Sequence, residues 1–554
     1  MLSRLEKPTA ILLIALSLFL TGRMAVAMAT HSLSTDEFGT VGSFSSKGPL
    51  NVITDYRAPK NHIFFNLLNS LLPARESFDT ARVRALSILA TLLTAGILIA
   101  WAAWRKQLLE VAVLLALWSS APQMLQLSME ARGYGFIGLF AITASLAIFE
   151  YLRSPHPRWL WVLGVSVALG TWTIPAYLFF GGPLMLLLWA ADRKRATLLA
   201  GALTVAAILI LYAPVLTRLV AEFTGFHEDK AEADFVAVHA VVRAVKLYLF
   251  QGEDWESWTL FLLLALAPFA VHAGENSECS ALRIIVGACL ACLAILFLLR
   301  TPPIRVAAFT LLPLALAGFL AIGGWLRKCA PVPLRFSAAA LAGLVLLAHL
   351  ADAALTFDFT PTEDWQLAGR AIDTAFPKTT RVDFKRYAKY LKQTLPDGNA
   401  RQADYDANAF AQGGLVVAEA ANKWAGERQF HPPGDLPRVV EWTIPGTIRD
   451  IVLTFRIPDP SGLKNAPASL TDGNLKTSAA VGALSLHPEP LANARALALL
   501  FDRPPKSGEL NGPPDMLIAG NAVVIPLQAG HDEEIHLTAA TGSNLKVAEA
   551  WITR

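Results

Sequence analysis

Eleven stretches of mainly apolar residues constrain this chain more than any other feature. They fall near 8–29, 81–104, 108–125, 133–152, 159–175, 176–191, 196–217, 257–273, 281–299, 306–326 and 335–356. Each is close to the roughly 20 residues a helix needs to cross a bilayer. Hydrocarbon offers no water to an open backbone N–H or C=O, so such segments are expected to be helices. The remainder of the chain reads differently. Of the 198 residues after position 356, 43 are charged, against 48 of the 356 before it. The sequence therefore predicts a mainly α, polytopic membrane region followed by a water-exposed tail. The net charge of +3 is too small to suggest a nucleic-acid partner.

Lys and Arg positions set the expected orientation. With Arg4 and Lys7 on the cytoplasmic side, the turns on that side hold Arg105-Lys106, Arg153 with Arg158, Arg193-Lys194-Arg195, Arg283, and Arg327-Lys328 with Arg335. All are short and basic. Eleven spans then place the tail on the outer side. The first span has signal-peptide features, namely a basic start, an apolar run and Ala25-Val26-Ala27. Its length favours a retained anchor.

The outer loops carry the polar groups that need explaining. Asp36 and Glu37 follow the first span directly. The segment Asp55-Tyr56-Arg57-Ala58-Pro59-Lys60-Asn61-His62 gathers an acid, two cations, an amide and an imidazole. It runs into the apolar Ile63–Leu72, which reads as a short helix along the membrane surface. Glu130, Arg132 and Tyr134 sit where the fourth span re-enters the membrane, a costly place for charge unless it is paired or used. Arg300 and Arg305 bracket a Pro302-Pro303 turn on the same side. The acids and two histidines, His227 and His239, of the 218–256 loop show no diagnostic metal spacing. Cys289 and Cys292 form a CxxC inside an apolar run and read as small core residues.

In this order, the Asp-Glu pair, the Pro59-Lys60-Asn61-His62 segment and Glu130-Ala131-Arg132-Gly133-Tyr134 resemble the GT-C glycosyltransferases. The group most resembled is the family 39 and Rgt-like enzymes. These are similar in layout to protein O-mannosyltransferases and to the transferase that adds aminoarabinose to lipid A. The resemblance covers about residues 8–356, and Glu363-Asp364-Trp365 resembles a segment of bacterial members. It implies transfer of a sugar from a polyprenyl-phosphate donor to an acceptor hydroxyl of a glycan, lipid or protein. The transfer takes place on the outer face of a bacterial plasma membrane, usually with inversion. It implies Asp36 as base, with Glu37 beside it to orient the acceptor. It implies Arg57, Lys60, His62, Arg132 and Arg305 as candidates for the phosphate, Glu130 to orient Arg132 or hold a sugar hydroxyl, and Tyr134 to stack on the sugar or anchor the interface, and it leaves a divalent cation (Mg or Mn, on Asp36 and Glu37) open. The segment Ala58-Pro59-Lys60-Asn61-His62 lacks the family's usual Pro-Pro, and the arginine turn lacks Arg-Tyr.

The expected division is 1–356 as the catalytic membrane domain, 357–437 as a mixed helical linker, and 438–554 as a small β-sandwich. Helical patterns at Asp364–Phe376 and Asp383–Leu395 mark the linker. Short strand-like runs from Val439 onward mark the sandwich. A transporter or flippase of lipid-linked glycans is the alternative. It would place ionisable groups near the mid-membrane and use broken helices.

Overall fold

The computed structural model describes residues 2–56, 61–74, 78–221, 254–270, 276–298, 308–329, 332–355, 365–376, 380–384, 406, 409, 415–422, 439–444, 449–456, 463–464, 479–480, 483–488, 496–506, 509–527, 535–539 and 545–553. The chain forms two compact units. One is Met1–Thr30 with Gly39–Phe359, the other His31–Phe38 with Thr360–Arg554.

The helices up to the end of the membrane region are α1 (Leu2–Thr30), α2 (Thr35–Ser43), α3 (Pro49–Thr54), α4 (Ile63–Leu71), α5 (Thr80–Arg105), α6 (Leu108–Ser119), α7 (Pro122–Met129), α8 (Tyr134–Arg153), α9 (Pro157–Thr173), α10 (Leu178–Asp192), α11 (Arg195–Tyr212), α12 (Asp254–Ala270), α13 (Asn276–Leu298), α14 (Leu311–Cys329) and α15 (Val332–Leu355). A helix stands at each of the eleven expected positions. Among the described residues, seven helices are long and apolar enough to cross a membrane, or eight if α6 and α7 count as one bent span. Helices α9 and α12 have 17 residues each. The expected continuous span 108–125 is instead broken, with α6 and α7 bent by 84°. Pro122 explains the break. It lacks an N–H, and its ring drives Ala121 to φ −101°, ψ 84°, out of the helical region.

One end of the bundle is stitched by ion pairs. Glu150 on α8 accepts from Trp101 Nε1 at 2.8 Å and Arg105 Nε at 2.6 Å, both on α5. Glu110 on α6 pairs with Arg327 on α14. Asp192 accepts from Tyr151 and Thr197, each at 2.7 Å, and meets Lys194 Nζ at 2.7 Å. That contact holds the Lys194 ammonium above its ordinary pKa. Arg105, Lys194 and Arg327, from three of the expected basic turns, thus each meet a carboxylate. Between the ends the core is apolar. Cys289 and Cys292 lie fully buried in it, as small core residues.

The second unit holds α16 (Trp365–Ala375) and three sheets. Strands β1 (Arg381–Phe384), β2 (Leu415–Asn422), β3 (Val439–Ile444) and β4 (Arg449–Arg456) pair in the order β1-β2-β4-β3. This sheet takes two strands from each side of position 437/438. Asp383 was expected to begin a helix but lies in β1, parallel to β2. The cause is tertiary pairing. Val382 alternates inward into the core that Trp365 and Ile372 share with this sheet.

The second sheet runs β10-β11-β8-β13-β6 and the third β5-β7-β12-β9. Their ranges are β5 (Leu463–Lys464), β6 (Ala479–Ala480), β7 (Ala483–Pro488), β8 (Ala496–Phe501), β9 (Leu510–Asn511), β10 (Leu517–Ala519), β11 (Ala522–Pro526), β12 (Ile535–Ala539) and β13 (Lys546–Thr553). Strand β8 is buried at every position. Ala496, Ala498 and Leu500 face the core under the first sheet, while Leu497, Leu499 and Phe501 face the core under the third. A strand covered on both faces reads as an unbroken apolar run.

The β10–β11 turn is clamped to β3. Trp442 Nε1 donates to Ala519 O. Asn521 N donates to Thr443 O at 3.1 Å, and Thr443 N donates to Asn521 Oδ1 at 2.8 Å. Gly520 sits there at φ +64°, and a Cβ would stand 1.8 Å from Thr443 O. Gly520→Ala is therefore expected to lower the melting temperature of the tail by several degrees, from a cost of at least about 1–3 kcal/mol. Gly96→Ala, with nothing within 4 Å of its Cβ, is the control. Equal melting of both variants in detergent refutes the clamp.

Candidate active site

The site is built at the ends of helices where polar groups can be satisfied. At the end of α1, Arg84 Nη1 donates to Met28 O and Thr80 Oγ1 donates to Ala29 O at 2.6 Å. Two side chains of α5 thus close the carbonyls that the last turn of α1 leaves open. Arg84 is itself buried. Sequence reading missed it, because it lies three residues inside an apolar span. A cation at that depth was the available signal.

The next helix, α2, begins with a capping box. Ser34 N donates to Glu37 Oε2 at 2.7 Å, and Glu37 N donates to Ser34 Oγ at 3.4 Å. Asp36 and Glu37 therefore occupy the first turn, where the positive end of the helix dipole favours negative charge. Both are buried, at 8% and 0% exposure. Glu37 thus has a structural task as well as its place beside Asp36. The pattern Ser-x-x-Glu was its signal. Neighbouring residues on a helix do not face each other, so Asp36 and Glu37 are not a ready pair for one cation. Among the described residues no three His, Cys, Asp or Glu side chains gather as metal ligands.

A chain of amides ties the first outer loop together. Asn61 Nδ2 donates to Val52 O at 2.9 Å and Asp55 O at 2.7 Å. Asn61 Oδ1 accepts from Asn66 Nδ2 at 2.9 Å, and Asn66 Oδ1 accepts from Ser45 Oγ at 2.8 Å. All three side chains are buried. Six residues past the end of α11, Arg218 Nη1 reaches Thr54 O at 3.1 Å and Asp55 Oδ1 at 3.4 Å. The loop is thereby fixed on both flanks of the segment holding His62.

His62 reaches the second outer turn. Gly133 N donates to His62 Nδ1 at 2.6 Å, so in the neutral ring Nε2 carries the proton. The turn itself is tight. Arg132 N donates to Glu130 O at 2.6 Å, and Ser87 Oγ on α5 donates to Arg132 O at 3.0 Å. Gly133 must lack a side chain, since a Cβ would stand 2.3 Å from Thr173 Cγ2. Tyr134 then presents its ring to two partners. The His62 ring meets it edge-on at 5.4 Å, and the Arg132 guanidinium stands over it at 4.9 Å.

The structure brings His62, Arg132 and Tyr134 together, with Glu130 in the same turn, and all four are buried. Arg57, Lys60 and Arg305 lie outside the described residues, as do His227 and His239. The arrangement presents an imidazole N–H and a guanidinium at one helix mouth. Such donors suit an anionic oxygen.

No protein-family model and no curated protein matches the sequence. Among solved structures, the chain is similar to ArnT from Cupriavidus metallidurans bound to undecaprenyl phosphate. The identity is 11% over 80% of this chain and 97% of that one, with a TM-score of 0.44. It is similar to AglB from Archaeoglobus fulgidus, an archaeal oligosaccharyltransferase in complex with an inhibitory peptide and a dolichol-phosphate. Here the identity is 12% over 75% and 69%, with a TM-score of 0.43. It is also similar to the arabinosyltransferase EmbB from Mycobacterium smegmatis, with 13% identity over 97% and 64% and a TM-score of 0.39. At these levels none of the three assigns a role to a residue of this chain.

Asn61→Leu keeps the branched side-chain skeleton and removes the loop's central amide. The orphaned buried groups each cost about 1–3 kcal/mol. Hydrogen exchange is expected to rise across 45–56 and 61–71 and to stay unchanged in α8. Exchange across 45–56 and 61–71 that stays at the wild-type rate in Asn61→Leu would refute the amide chain as the tie.

Proposed function

We propose that this protein is a GT-C-type glycosyltransferase. It moves a sugar from a polyprenyl-phosphate donor to an acceptor hydroxyl on the outer face of a bacterial plasma membrane. The observation that carries this reading is the buried polar assembly of His62, Arg132 and Tyr134 at the mouth of α8. Ionisable groups at membrane depth mark function rather than stability.

In the proposed reaction the acceptor oxygen attacks the anomeric carbon as its proton passes to the Asp36 carboxylate. The bond from that carbon to the phosphate oxygen breaks, and the lipid phosphate leaves with the electron pair. The attack is on the face opposite the leaving group, so the anomeric centre inverts. Negative charge grows on the departing oxygen, and the Arg132 guanidinium and the His62 Nε2–H supply donors for it. Arg57, Lys60 and Arg305 are assigned to the same phosphate on the sequence resemblance. Glu130 and Tyr134 are assigned to the sugar, with Tyr134 offering a ring face to its C–H surface. Glu37 holds the turn that carries Asp36. The membrane region 1–356 is the catalytic domain in this reading. The stretches 357–437 and 438–554 are its outer extension.

The 84° break between α6 and α7 is the one feature that favours a transporter of lipid-linked glycans, since broken helices line such sites. The two readings separate in one assay. Purified protein is offered polyprenyl-phosphate sugars and an envelope acceptor, and release of polyprenyl phosphate is followed. Wild type is expected to release it, and Asp36→Asn to lose about 10²–10⁴-fold. Arg132→Ala is expected to lower kcat with the fold intact. Release by Asp36→Asn at the wild-type rate removes Asp36 as the base. Movement of donor across vesicles without cleavage establishes the transporter.

A further inference from the structure

A second feature of the bundle lies at the end opposite the site above. Helices α9 and α11 leave an apolar groove of about 240 Å³ between them. Its floor is made of small residues, Gly164, Ala168 and Thr204, and its rim of exposed large ones, Trp161, Leu199 and Leu203. A Cβ on Gly164 would stand 2.7 Å from Thr204 Oγ1, so glycine there lets the two helices close beneath the slot. The lining runs from Pro157 to Ala168 on α9 and from Ala196 to Ala207 on α11. At 1.5 Å per residue each wall is about 17 Å long. One leaflet of a bilayer's hydrocarbon core is about 15 Å, half of roughly 30 Å.

The mouth of the groove is basic. Pro157 and Ala196 line its end, and the adjoining Arg158, Arg193 and Arg195 are exposed. Lys194 is neutralised by Asp192 at 2.7 Å. Helix α11 starts here with no side-chain cap on its open N–H groups. The far end of α9 marks the opposite surface. Thr173 abuts the Gly133 turn, and the Trp172 ring meets the Phe64 ring at 5.9 Å, tilted by 46°.

We propose that this groove binds an anionic phospholipid of the leaflet opposite the active site, with one acyl chain in the slot and the phosphate at Arg158, Arg193 and Arg195. Charge complementarity and one-leaflet length select this occupant. Cations between spans at a membrane surface attract acidic headgroups, by about 1 kcal/mol each. The inference rests on the membrane-spanning reading of the first unit and is independent of the reaction proposed above.

Native mass spectrometry of the full chain, released from detergent with phosphatidylglycerol and phosphatidylcholine in equal amounts, tests it. Wild type is expected to retain phosphatidylglycerol at least about tenfold over phosphatidylcholine. The triple variant Arg158→Gln, Arg193→Gln, Arg195→Gln should lose that preference, and the corresponding triple Lys variant should keep it. Ala200→Phe, which fills the slot, should reduce retention of both lipids. Thermal melts of all variants check folding, and the Lys triple gives the headgroup answer if the Gln triple does not fold. Equal retention of the two lipids by wild type overturns the proposal. So does unchanged retention in Ala200→Phe, displacement of phosphatidylglycerol by equimolar undecaprenyl phosphate, or a dimer lost in Ala200→Phe with no lipid bound.

Discussion

The structure depends on one constraint: inside hydrocarbon, a polar group has no partner except another part of the chain. The apolar spans meet it with their own helical hydrogen bonds, and everything that cannot be met that way is pushed to the helix ends. The two ends of the first unit resolve it differently. At one, carboxylates meet cations directly, as Glu150 meets Arg105 and Trp101. At the other, amides, an imidazole and backbone groups interlock, and the Gly133 N–H to His62 Nδ1 bond joins two loops that are 71 residues apart in sequence. Ion pairs tolerate some play in their partners. An imidazole accepting one backbone N–H does not, and this favours the second end as the place where geometry is fixed for chemistry.

Burial amplifies that difference. The amide chain from Ser45 through Asn66 to Asn61 has no solvent to fall back on, so any loosening leaves donors or acceptors unpaired. The amide chain therefore ties the short helices α3 and α4 of this loop to one another. That tie holds His62 against Tyr134 and leaves the imidazole proton on Nε2, while Arg132 shares the same ring. A loosely held cation would lose this positional advantage to side-chain entropy.

Much of the fold is legible in the sequence because apolar length is a direct statement about the bilayer. Helices stand at all eleven expected positions, and the water-exposed tail carries the expected strands at Val439, Ile451 and Ala496. What escaped was set by context. Pro122 was visible, but its effect depends on where the chain must turn, and it broke a span that composition alone presents as continuous. Asp383 lies in a charged, helix-like stretch that β2 recruits as a parallel partner. Arg84 was absorbed into an apolar run. Its value lies in Met28 O, 56 residues away, which no local pattern encodes. The turn Glu130–Tyr134 was readable as unusual because charge at a span's mouth is costly. Its partner His62 was readable as polar, yet their hydrogen bond was not.

The two adjacent acids show how local structure divides roles that sequence leaves equal. Asp36 and Glu37 differ by one methylene and one position, and either is a fit base by chemistry alone. The capping box breaks the tie. Glu37 stands at the third helical position, where its Oε2 accepts from Ser34 N and helps start α2. Removing it would first cost the helix start. Asp36, at the second position, is set one step around the helix, away from that exchange. A carboxylate engaged in holding a turn is poorly placed to accept a proton during a reaction, because protonation would weaken the cap it maintains. The capping box thus gives Glu37 a task in position, and proton transfer by Asp36 is the role proposed for it on the sequence resemblance.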